Sequence, residues 1–243
     1  MTAVSVERRP YAALEASSRA RKAEKIVRLL GGADALRGKR VLDVGCGSGH
    51  IAAALAELAG PGGHVSAVDL RDQRVVLDGY EFVQVAGTEL PFADASLDVV
   101  VSNHVIEHVG EHADQLHHLR EIRRVLRPGG VCYLAAPSRW ALLEPHVRLP
   151  LVSWLPRRLR TPYVRLARRG SFYDCEPPTP RRLLRLVGAV GLVPEEKTLD
   201  ALLELGRLER PSPAVRLALA APAPLRRALA PLSPTLVYLL RRP

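Results

Sequence analysis

Three histidines and a glutamate stand close together in the middle of the chain. His104, His108 and His112 are spaced by four residues, and Glu107 directly precedes His108. The spacing HxxEH occurs in zinc enzymes, where both histidines lie on one helix and a distant residue completes the site. Here an apolar strand pattern ends just before His104 and Gly110 interrupts the run, so we predict no metal ion. His104 is a candidate catalytic residue, whereas His108 and His112 are expected to be structural and solvent-exposed, respectively.

A glycine-rich loop lies upstream of these histidines. Residues 40–50 read RVLDVGCGSGH, so an apolar strand runs directly into glycines at every second position. Glycine allows a tight turn and the close approach of a ligand to the backbone. Asp69 closes the next strand, where a carboxylate can accept hydrogen bonds from both hydroxyls of a ribose. We therefore predict a cofactor site that includes Asp69 and, in the loop, Asp43, Gly45, Cys46, Gly47 and Gly49.

The ligand of this loop is expected to be a nucleoside without a pyrophosphate. The dinucleotide fingerprint GxGxxG would place its third glycine at position 50, which is His50. No phosphate-binding lysine of the Walker type follows the loop either. The alternative, that the glycines serve only a tight strand-to-helix turn, is less favoured because Asp43 and Asp69 accompany them.

Apolar strands alternate with helical segments up to residue 138. A helix is predicted over 11–30, and strands over 40–44, HVSAVDL, EFVQVAG, LDVVVS and VCYLAAPS. A short helix is expected after the second strand, and the amphipathic helix HADQLHHLREIRRVL is expected to stop at Pro128. Strands that are nearly all apolar favour a parallel sheet covered by helices on both faces. The chain up to Ser138 is thus predicted to be a doubly wound α/β domain.

The C-terminal part gives weaker signals. Residues 139–178 are rich in proline and arginine and are expected to form an insertion with short helices. Thr179 and Pro180 are typical of the N-cap and first turn of a helix, which is predicted to end near Gly191. A sixth strand in LVPEEKTL, Pro-punctuated helices over about 201–231 and a last strand in TLVYLL are expected to follow.

The sequence resembles the class I S-adenosylmethionine-dependent methyltransferases, and within them the small-molecule branch that includes the ubiquinone and menaquinone enzymes. The resemblance is carried by VLDVGCGSG at 41–49, by Asp69 in AVDL, by LPFADASLDVVVSNHVIEHV at 90–109 and by LREIRRVLRPGGVCYLAAP at 119–137. It implies S-adenosyl-L-methionine as the cofactor and a mostly parallel, seven-stranded Rossmann-like sheet with an antiparallel last strand.

The resemblance also implies roles for individual residues. Gly45 to Gly49 would face the methionine part of the cofactor, and Asp69 would bind its ribose. Many relatives have an acidic residue for the adenine amino group at the position occupied here by Ala86. We therefore expect the adenine to be held by backbone groups and by contacts with Leu70 and Thr88. Asn103 and His104 would lie beside the transferred methyl group.

The insertion 139–178 occupies the place that commonly forms the acceptor pocket in this family. Glu144 and His146 flank a proline, and we predict that they are catalytic; a salt bridge that only fixes the loop is the alternative. Aromatic residues could wall an apolar or sugar-like acceptor, namely Trp140, Trp154 and Tyr163. Six arginines between Arg157 and Arg169 are interleaved with apolar residues, which indicates either an anionic membrane contact or a solvated basic face.

The composition limits the kinds of partner and the cellular compartment only broadly. The net charge is +10, but only four of the 35 basic residues are lysine, an arginine bias that GC-rich coding would produce without any demand of function. No aromatic-interleaved basic motif of the RNA-binding type accompanies the charge, so nucleic acid is an unlikely partner. No signal peptide or membrane-spanning stretch is recognised, and the three cysteines show no disulfide framework. A cytoplasmic protein is expected, with a peripheral membrane contact as an option.

The leading interpretation is methyl transfer to a small-molecule, lipid-linked or glycan acceptor, most favourably at oxygen. The alternatives are a non-catalytic cofactor-binding protein and an RNA methyltransferase. One domain over 1–243 is predicted: an N-terminal helical segment (1–38), a cofactor-binding core (39–138), an acceptor-pocket insertion (139–178), and C-terminal helices and strands (179–243).

Overall fold

The computed structural model describes residues 16–208, 216 and 220–243. Parts of two predicted helical segments, 11–15 and 209–219 apart from residue 216, lie outside the described residues. The strands are β1 (Arg40–Val44), β2 (His64–Asp69), β3 (Glu81–Gln84), β4 (Leu97–Asn103), β5 (Leu126–Pro137), β6 (Val193–Glu196) and β7 (Thr235–Arg241). The helices are α1 (Ala16–Leu30), α2 (His50–Ala59), α3 (His112–Val125), α4 (Arg157–Leu166), α5 (Pro180–Ala189), α6 (Thr198–Leu208) and α7 (Ala223–Leu229).

The seven strands form one sheet in the order β3-β2-β1-β4-β5-β7-β6. The pairs among β3, β2, β1, β4 and β5 are parallel, whereas β7 is antiparallel to both of its neighbours. The order reverses at β1 and β4, and in open α/β sheets ligands bind at such a switch point, beyond the carboxyl ends of the strands. The predicted doubly wound sheet with an antiparallel last strand is confirmed.

Helices cover both faces of the sheet. Because successive strand side chains point to opposite sides, neighbouring residues of one strand belong to different cores. Leu42 and Val100 belong to a core that α3 and α5 cover, whereas Val41 and Val99 belong to a second core beneath α1, α2 and α6. The near-continuous apolar runs of the central strands are explained by this two-sided burial. No helix of the described segments is both long and apolar enough to cross a membrane.

The helix that was predicted after β2 is wrong. The segment after β2 contains no helix in the described structure; Asp72 accepts a hydrogen bond from the Arg74 amide, and Val75 and Val76 donate to the Ser48 carbonyl. Such local bonds offer the backbone an alternative to a helix. Helix α3 covers the predicted segment except for its last residue: it ends at Val125 because the chain already joins the sheet at Leu126, and Pro128 lies beyond it.

The C-terminal elements agree with their sequence signals. Helix α5 begins at Pro180, and the Thr179 hydroxyl accepts a hydrogen bond from the Arg182 amide at 3.2 Å. Strand β7, the predicted TLVYLL strand, pairs with β5 over its whole length and places Thr235 opposite Pro137. As a result, the start of β7 lies at the same edge as the ends of β4 and β5.

Candidate functional site

The glycine loop after β1 has a backbone that other residues would strain. Gly45, Gly47 and Gly49 have φ values of +69°, +53° and +82°. A Cβ atom on Gly45 would lie 2.6 Å from Cγ2 of Val105, and one on Gly49 would lie 2.1 Å from the Tyr80 hydroxyl. The glycines are therefore required both by backbone conformation and by close contacts. The loop packs directly against the segment that follows β4.

Asp69 at the end of β2 is tied to the same loop. Its Oδ2 accepts a hydrogen bond from the Gly47 amide at 2.9 Å, and its Oδ1 accepts one from the Arg71 amide at 3.3 Å. Each carboxylate oxygen has capacity for a second hydrogen bond. The half-buried carboxylate therefore holds the loop and still has the acceptors that two ribose hydroxyls need. Leu70 beside it is half exposed.

Asp43 is a buried carboxylate behind the loop. Burial raises its pKa to about 7, the charge of Asp69 acts in the same direction, and Arg19 of helix α1 opposes both. Its Oδ2 has no hydrogen-bond partner among the described residues. An orphaned buried carboxylate oxygen fits a ligand that brings a positive charge or a donor, such as the methionine part of S-adenosylmethionine.

The remaining predicted cofactor residues lie around this centre. Register pairs Val44 with Ser102, so Gly45 and Asn103 follow at the same edge of the sheet. Cys46 is buried in the loop, and burial raises the pKa of its thiol. Thr88 is half-buried, and its hydroxyl lies 2.7 Å from Nδ1 of His117 on α3, so this side chain already has one partner.

His104 lies directly beyond β4 in a strained conformation. Its φ of +61° is rare for a residue with a side chain and is more common at functional sites. Its amide donates to the Ala135 carbonyl, its Nδ1 is 3.1 Å from Oε1 of Glu107, and its Nε2 is 3.3 Å from the Thr235 hydroxyl. Strand β5 thus holds the backbone of His104, and Glu107 and Thr235 hold its imidazole, at the edge of the sheet where the glycine loop lies.

Glu107 is fully buried beneath this imidazole. Burial alone would raise its pKa, but the hydrogen bond with His104 and the neighbouring histidines lower it overall. Burial in turn lowers the pKa of His104, against the opposing influence of Glu107. The Oε2 atom of Glu107 has no hydrogen-bond partner within the described structure. The pair is therefore a neutral imidazole held by a buried carboxylate.

A second histidine–carboxylate pair comes from the insertion. His146 Nδ1 lies 2.7 Å from Oε1 of Glu144, whose Oε2 accepts hydrogen bonds from the amides of His146 and Val147, both at 2.8 Å. Burial would lower the pKa of His146, but Glu144 and then Glu107 raise it overall. His146 Nε2 is 3.5 Å from Oε1 of Glu107, so the two pairs form one cluster.

Two further side chains join the cluster. The rings of His108 and His146 are edge-to-face at 5.0 Å, and Nδ1 of His108 is 3.8 Å from Sγ of the buried Cys175. Two groups of three residues could each hold a metal ion, since the ligand atoms within each group lie within 4.8 Å of one another. The first group is His108, His146 and Cys175, and the second is His104, Glu107 and His146. The structure therefore brings Glu107, His108 and Cys175 next to the predicted residues His104, Glu144 and His146.

Other residues lie away from the cluster. His112, singled out in the sequence, is exposed, and Tyr173 of the insertion is buried in a small apolar core together with Val152 and Val164. Arg160 is also buried, although it was expected in the basic surface run; its guanidinium donates to the Leu155 carbonyl and pairs with Glu176 at 3.2 Å. The basic surface is thus less continuous than expected, because one of its arginines anchors the insertion.

Some residues at the candidate site had no usable sequence signal. Cys175 and Thr235 reach the cluster from segments far along the chain, and nothing in their neighbours marks them. Arg19 and Lys22 of helix α1 act electrostatically on Asp43 and His104, respectively. Helix α1 was predicted from the sequence, but the proximity of its basic residues to Asp43 and His104 was not.

Comparison with known proteins agrees with this geometry. Residues 42–134 match the family described as a methyltransferase domain. A probable S-adenosylmethionine-dependent methyltransferase of Mycolicibacterium smegmatis is 40% identical over 107 residues, which are 42% of this chain and 39% of the relative. A probable phthiotriol/phenolphthiotriol dimycocerosates methyltransferase of Mycobacterium ulcerans is 42% identical over 102 residues, 39% of this chain and 38% of the relative.

A ubiquinone/menaquinone biosynthesis C-methyltransferase of Pseudomonas putida is 36% identical over 104 residues, 38% of this chain and 40% of the relative. The chain therefore spans about two fifths of the length of these curated relatives.

Solved structures share the fold at low identity. A methyltransferase of Mesorhizobium loti has a TM-score of 0.60 at 18% identity, with 90% of this chain and 98% of that chain covered. The [4+2]-cyclase SpnF has a TM-score of 0.55 at 19% identity and covers 98% of this chain and 86% of its own. The glycine loop, Asp69 and the strand order fit a nucleoside cofactor, and residues 42–134 of the chain are similar to the methyltransferase domain of S-adenosylmethionine-dependent enzymes.

Proposed function

We propose that the protein transfers the methyl group of S-adenosylmethionine to an oxygen atom of a small-molecule, lipid-linked or glycan acceptor. The observation that carries this proposal is the His104–Glu107 pair at the carboxyl end of β4, beside the glycine loop. A neutral imidazole oriented by a buried carboxylate is a suitable proton acceptor for a hydroxyl group.

The proposed reaction is an in-line displacement. The acceptor oxygen attacks the methyl carbon, the bond between that carbon and sulfur breaks, and sulfur keeps the electron pair. Nδ1 of His104 faces Glu107 and Nε2 lies 3.3 Å from the Thr235 hydroxyl, so the acceptor hydroxyl would replace Thr235 beside the Nε2 lone pair and pass its proton to that nitrogen. The cofactor is already activated, so the protein must mainly align the acceptor and exclude water.

The insertion 139–178 is proposed to form the acceptor side of the site. Glu144 holds His146 through two hydrogen bonds and accepts a third from the Val147 amide, and His146 faces Glu107 across the cluster. His146 is thereby placed to contact the acceptor while His104 takes the proton. Trp140 and Trp154, whose rings lie edge-to-face at 5.2 Å, offer a half-exposed aromatic wall in the same segment.

The names of two curated relatives support an apolar acceptor, although they do not identify the acceptor of this protein. One is a probable methyltransferase of phthiotriol and phenolphthiotriol dimycocerosates, and another is a C-methyltransferase of quinone biosynthesis. Transfer to oxygen is favoured here over transfer to carbon because two histidine–carboxylate pairs surround the acceptor side.

The test uses S-adenosylmethionine with a labelled methyl group and fractions of cell extract, followed by identification of the labelled product. We expect His104→Gln to lower the transfer rate about 100-fold or more, while S-adenosylhomocysteine binding, measured by calorimetry, changes less than about twofold. The control is His112→Gln, because His112 is exposed on α3. Equal rates for the two variants would contradict the role of His104.

Cofactor binding is tested separately. The double variant Gly47→Val, Asp69→Ala combines a side chain on a positive-φ glycine with loss of the carboxylate that accepts from its amide. We expect it to abolish S-adenosylhomocysteine binding; unchanged binding would overturn the cofactor site assigned here.

Two other functions make different predictions. A non-catalytic cofactor-binding protein would bind S-adenosylhomocysteine tightly and label no fraction, and the [4+2]-cyclase among the structural neighbours illustrates that this fold alone does not fix the activity. An RNA methyltransferase would place the label in nuclease-sensitive material. We favour a small acceptor because the insertion supplies a compact polar cluster at the site.

We also propose that the protein acts in the cytoplasm with a peripheral contact to an anionic membrane. The exposed face of α4 carries both arginines and leucines. The exposed residues that recur there at helical spacing are Arg158, Leu159, Arg165 and Leu166. The three cysteines are free, as a reducing compartment would keep them.

A further inference from the structure

We propose that His108, His146 and Cys175 bind a divalent transition-metal cation of the zinc type at the acceptor side of the site. These residues come from the turn after β4 and from both ends of the insertion. Two imidazole nitrogens and a thiolate form a ligand set that Zn²⁺ prefers, and three protein ligands leave a fourth position open.

The atoms already stand close to the required spacing. All three ligand atoms lie within 4.8 Å of one another, and Nδ1 of His108 is 3.8 Å from Sγ of Cys175. Bonds of about 2.0 Å to nitrogen and 2.3 Å to sulfur at a tetrahedral angle place the two atoms about 3.5 Å apart. A cation therefore needs a contraction of only a few tenths of an ångström along this edge.

Carboxylates orient both rings from behind. Glu144 holds Nδ1 of His146 at 2.7 Å, which leaves Nε2 directed into the cluster. Nε2 of His108 faces Oε1 of Glu107 at 4.0 Å, while Nδ1 faces the thiol. Metal-binding histidines characteristically direct the second ring nitrogen at a carboxylate or carbonyl, which fixes the ring and raises its basicity.

The charge of the cluster also favours a cation. Glu107 and Glu144 are fully buried, and Asp174 lies next to the buried Cys175. Buried carboxylates are costly unless positive charge accompanies them. A bound divalent cation supplies that charge, and the Cys175 proton leaves to solvent as the thiolate forms.

The second ligand set is less suitable. It requires His104, whose Nδ1 already faces Glu107 and whose Nε2 faces Thr235, and it contains no sulfur. The preferred set leaves the His104–Glu107 pair intact. If the proposed methyl transfer is correct, the open coordination position would hold the acceptor oxygen; the cation site itself does not depend on that reaction.

The test is cobalt titration of the protein after removal of metals with a chelator. We expect one equivalent of Co²⁺ to bind and to give the thiolate-to-cobalt charge-transfer band in the near ultraviolet, and Zn²⁺ to displace it. Cys175→Ser should remove that band, and Glu144→Gln should weaken binding about 10- to 100-fold. Cys132→Ser is the thiol control, because Cys132 is buried within β5 away from the cluster.

S-adenosylhomocysteine binding by each variant verifies that it is folded. Absence of cobalt binding, a spectrum without the thiolate band, or an unchanged band in Cys175→Ser would overturn the proposal. Loss of the spectrum in His104→Gln but not in Cys175→Ser would assign the ion to the other ligand set and would overturn it as well. None of these measurements requires methyl transfer, so failure of the proposed reaction remains a separate result.

Discussion

Gly49 and Gly60 flank helix α2, and both have positive φ, but only one of them is tightly enclosed. A Cβ atom on Gly49 would lie 2.4 Å from the Val76 carbonyl as well as against the Tyr80 hydroxyl, whereas nothing lies within 4 Å of one on Gly60. Gly49 is left-handed, whereas Gly60, at φ +61° and ψ −169°, lies in a region that only glycine adopts readily. We expect Gly60→Ala to lower the free energy of unfolding by about 1 to 3 kcal/mol through backbone strain alone, and Gly49→Ala by about 2 to 4 kcal/mol, mostly through its contacts. Chemical denaturation measures both losses, and a loss of only about 1 kcal/mol at Gly49 would match the left-handed backbone alone and contradict a cost from its contacts.

His118 provides a test of buried polarity on the other face of the sheet. Its Nε2 is 3.1 Å from the Ser102 hydroxyl, and burial lowers its pKa to about 4, with Glu107 opposing and His117 reinforcing that shift. Below about pH 6.5 the unfolded chain takes up a proton at this histidine while the folded protein does not. Stability is therefore lost as the pH falls from about 6.5 towards 4.

The variant His118→Gln should lose less stability over that pH range, because glutamine retains hydrogen-bonding groups but does not titrate. Thermal unfolding at a series of pH values measures the slope for each protein. The exposed neighbour provides the control, His117→Gln. A slope as steep in His118→Gln as in the unaltered protein would show that other groups cause the loss.

Helix α4 shows how one buried charge can fix a whole segment. Arg160 is almost completely buried and binds the Leu155 carbonyl and Glu176, whereas Arg158 on the same helix is exposed. We expect Arg160→Met to lower the free energy of unfolding by about 2 to 3 kcal/mol and Arg158→Met by less than about 0.5 kcal/mol. Limited proteolysis should cut the insertion of the first variant faster, and similar cleavage of both would contradict the anchoring role.

The elements differ in how far the sequence could predict them. The glycine loop, Asp69 and the Thr179 cap were predictable because each depends on neighbours within a few residues or on one strand–helix–strand unit. The contact of Cys175 with His108 was not predictable, because it joins segments 67 residues apart. The same holds for His104 and Thr235, which lie 131 residues apart and meet only because β7 inserts next to β5.

The protein has a net charge of +10, and its described arginines include two groups with different environments. Some arginines neutralise buried or half-buried carboxylates, as when Arg139, Arg160 and Arg182 gather around Glu176. Others cover the exposed face of α4 together with leucines, and Leu166 there is 84% exposed. Of these two groups of described arginines, only the second can attract a surface from outside, so a count of charges overstates the basic area that they offer to a partner.

Vesicle binding tests whether that face contacts a membrane. We expect the protein to sediment with vesicles that contain phosphatidylglycerol and much less with neutral phosphatidylcholine vesicles, and the binding should weaken as salt rises because exposed charges are screened within about 8 to 10 Å. The double variant Leu159→Gln, Leu166→Gln should bind less even at low salt, since it keeps every arginine but removes apolar area from the face. Leu184→Gln is the matched control, because Leu184 is also exposed but lies on α5. Equal loss in both variants, or equal binding to both kinds of vesicle, would mean that the face is only a solvated basic surface.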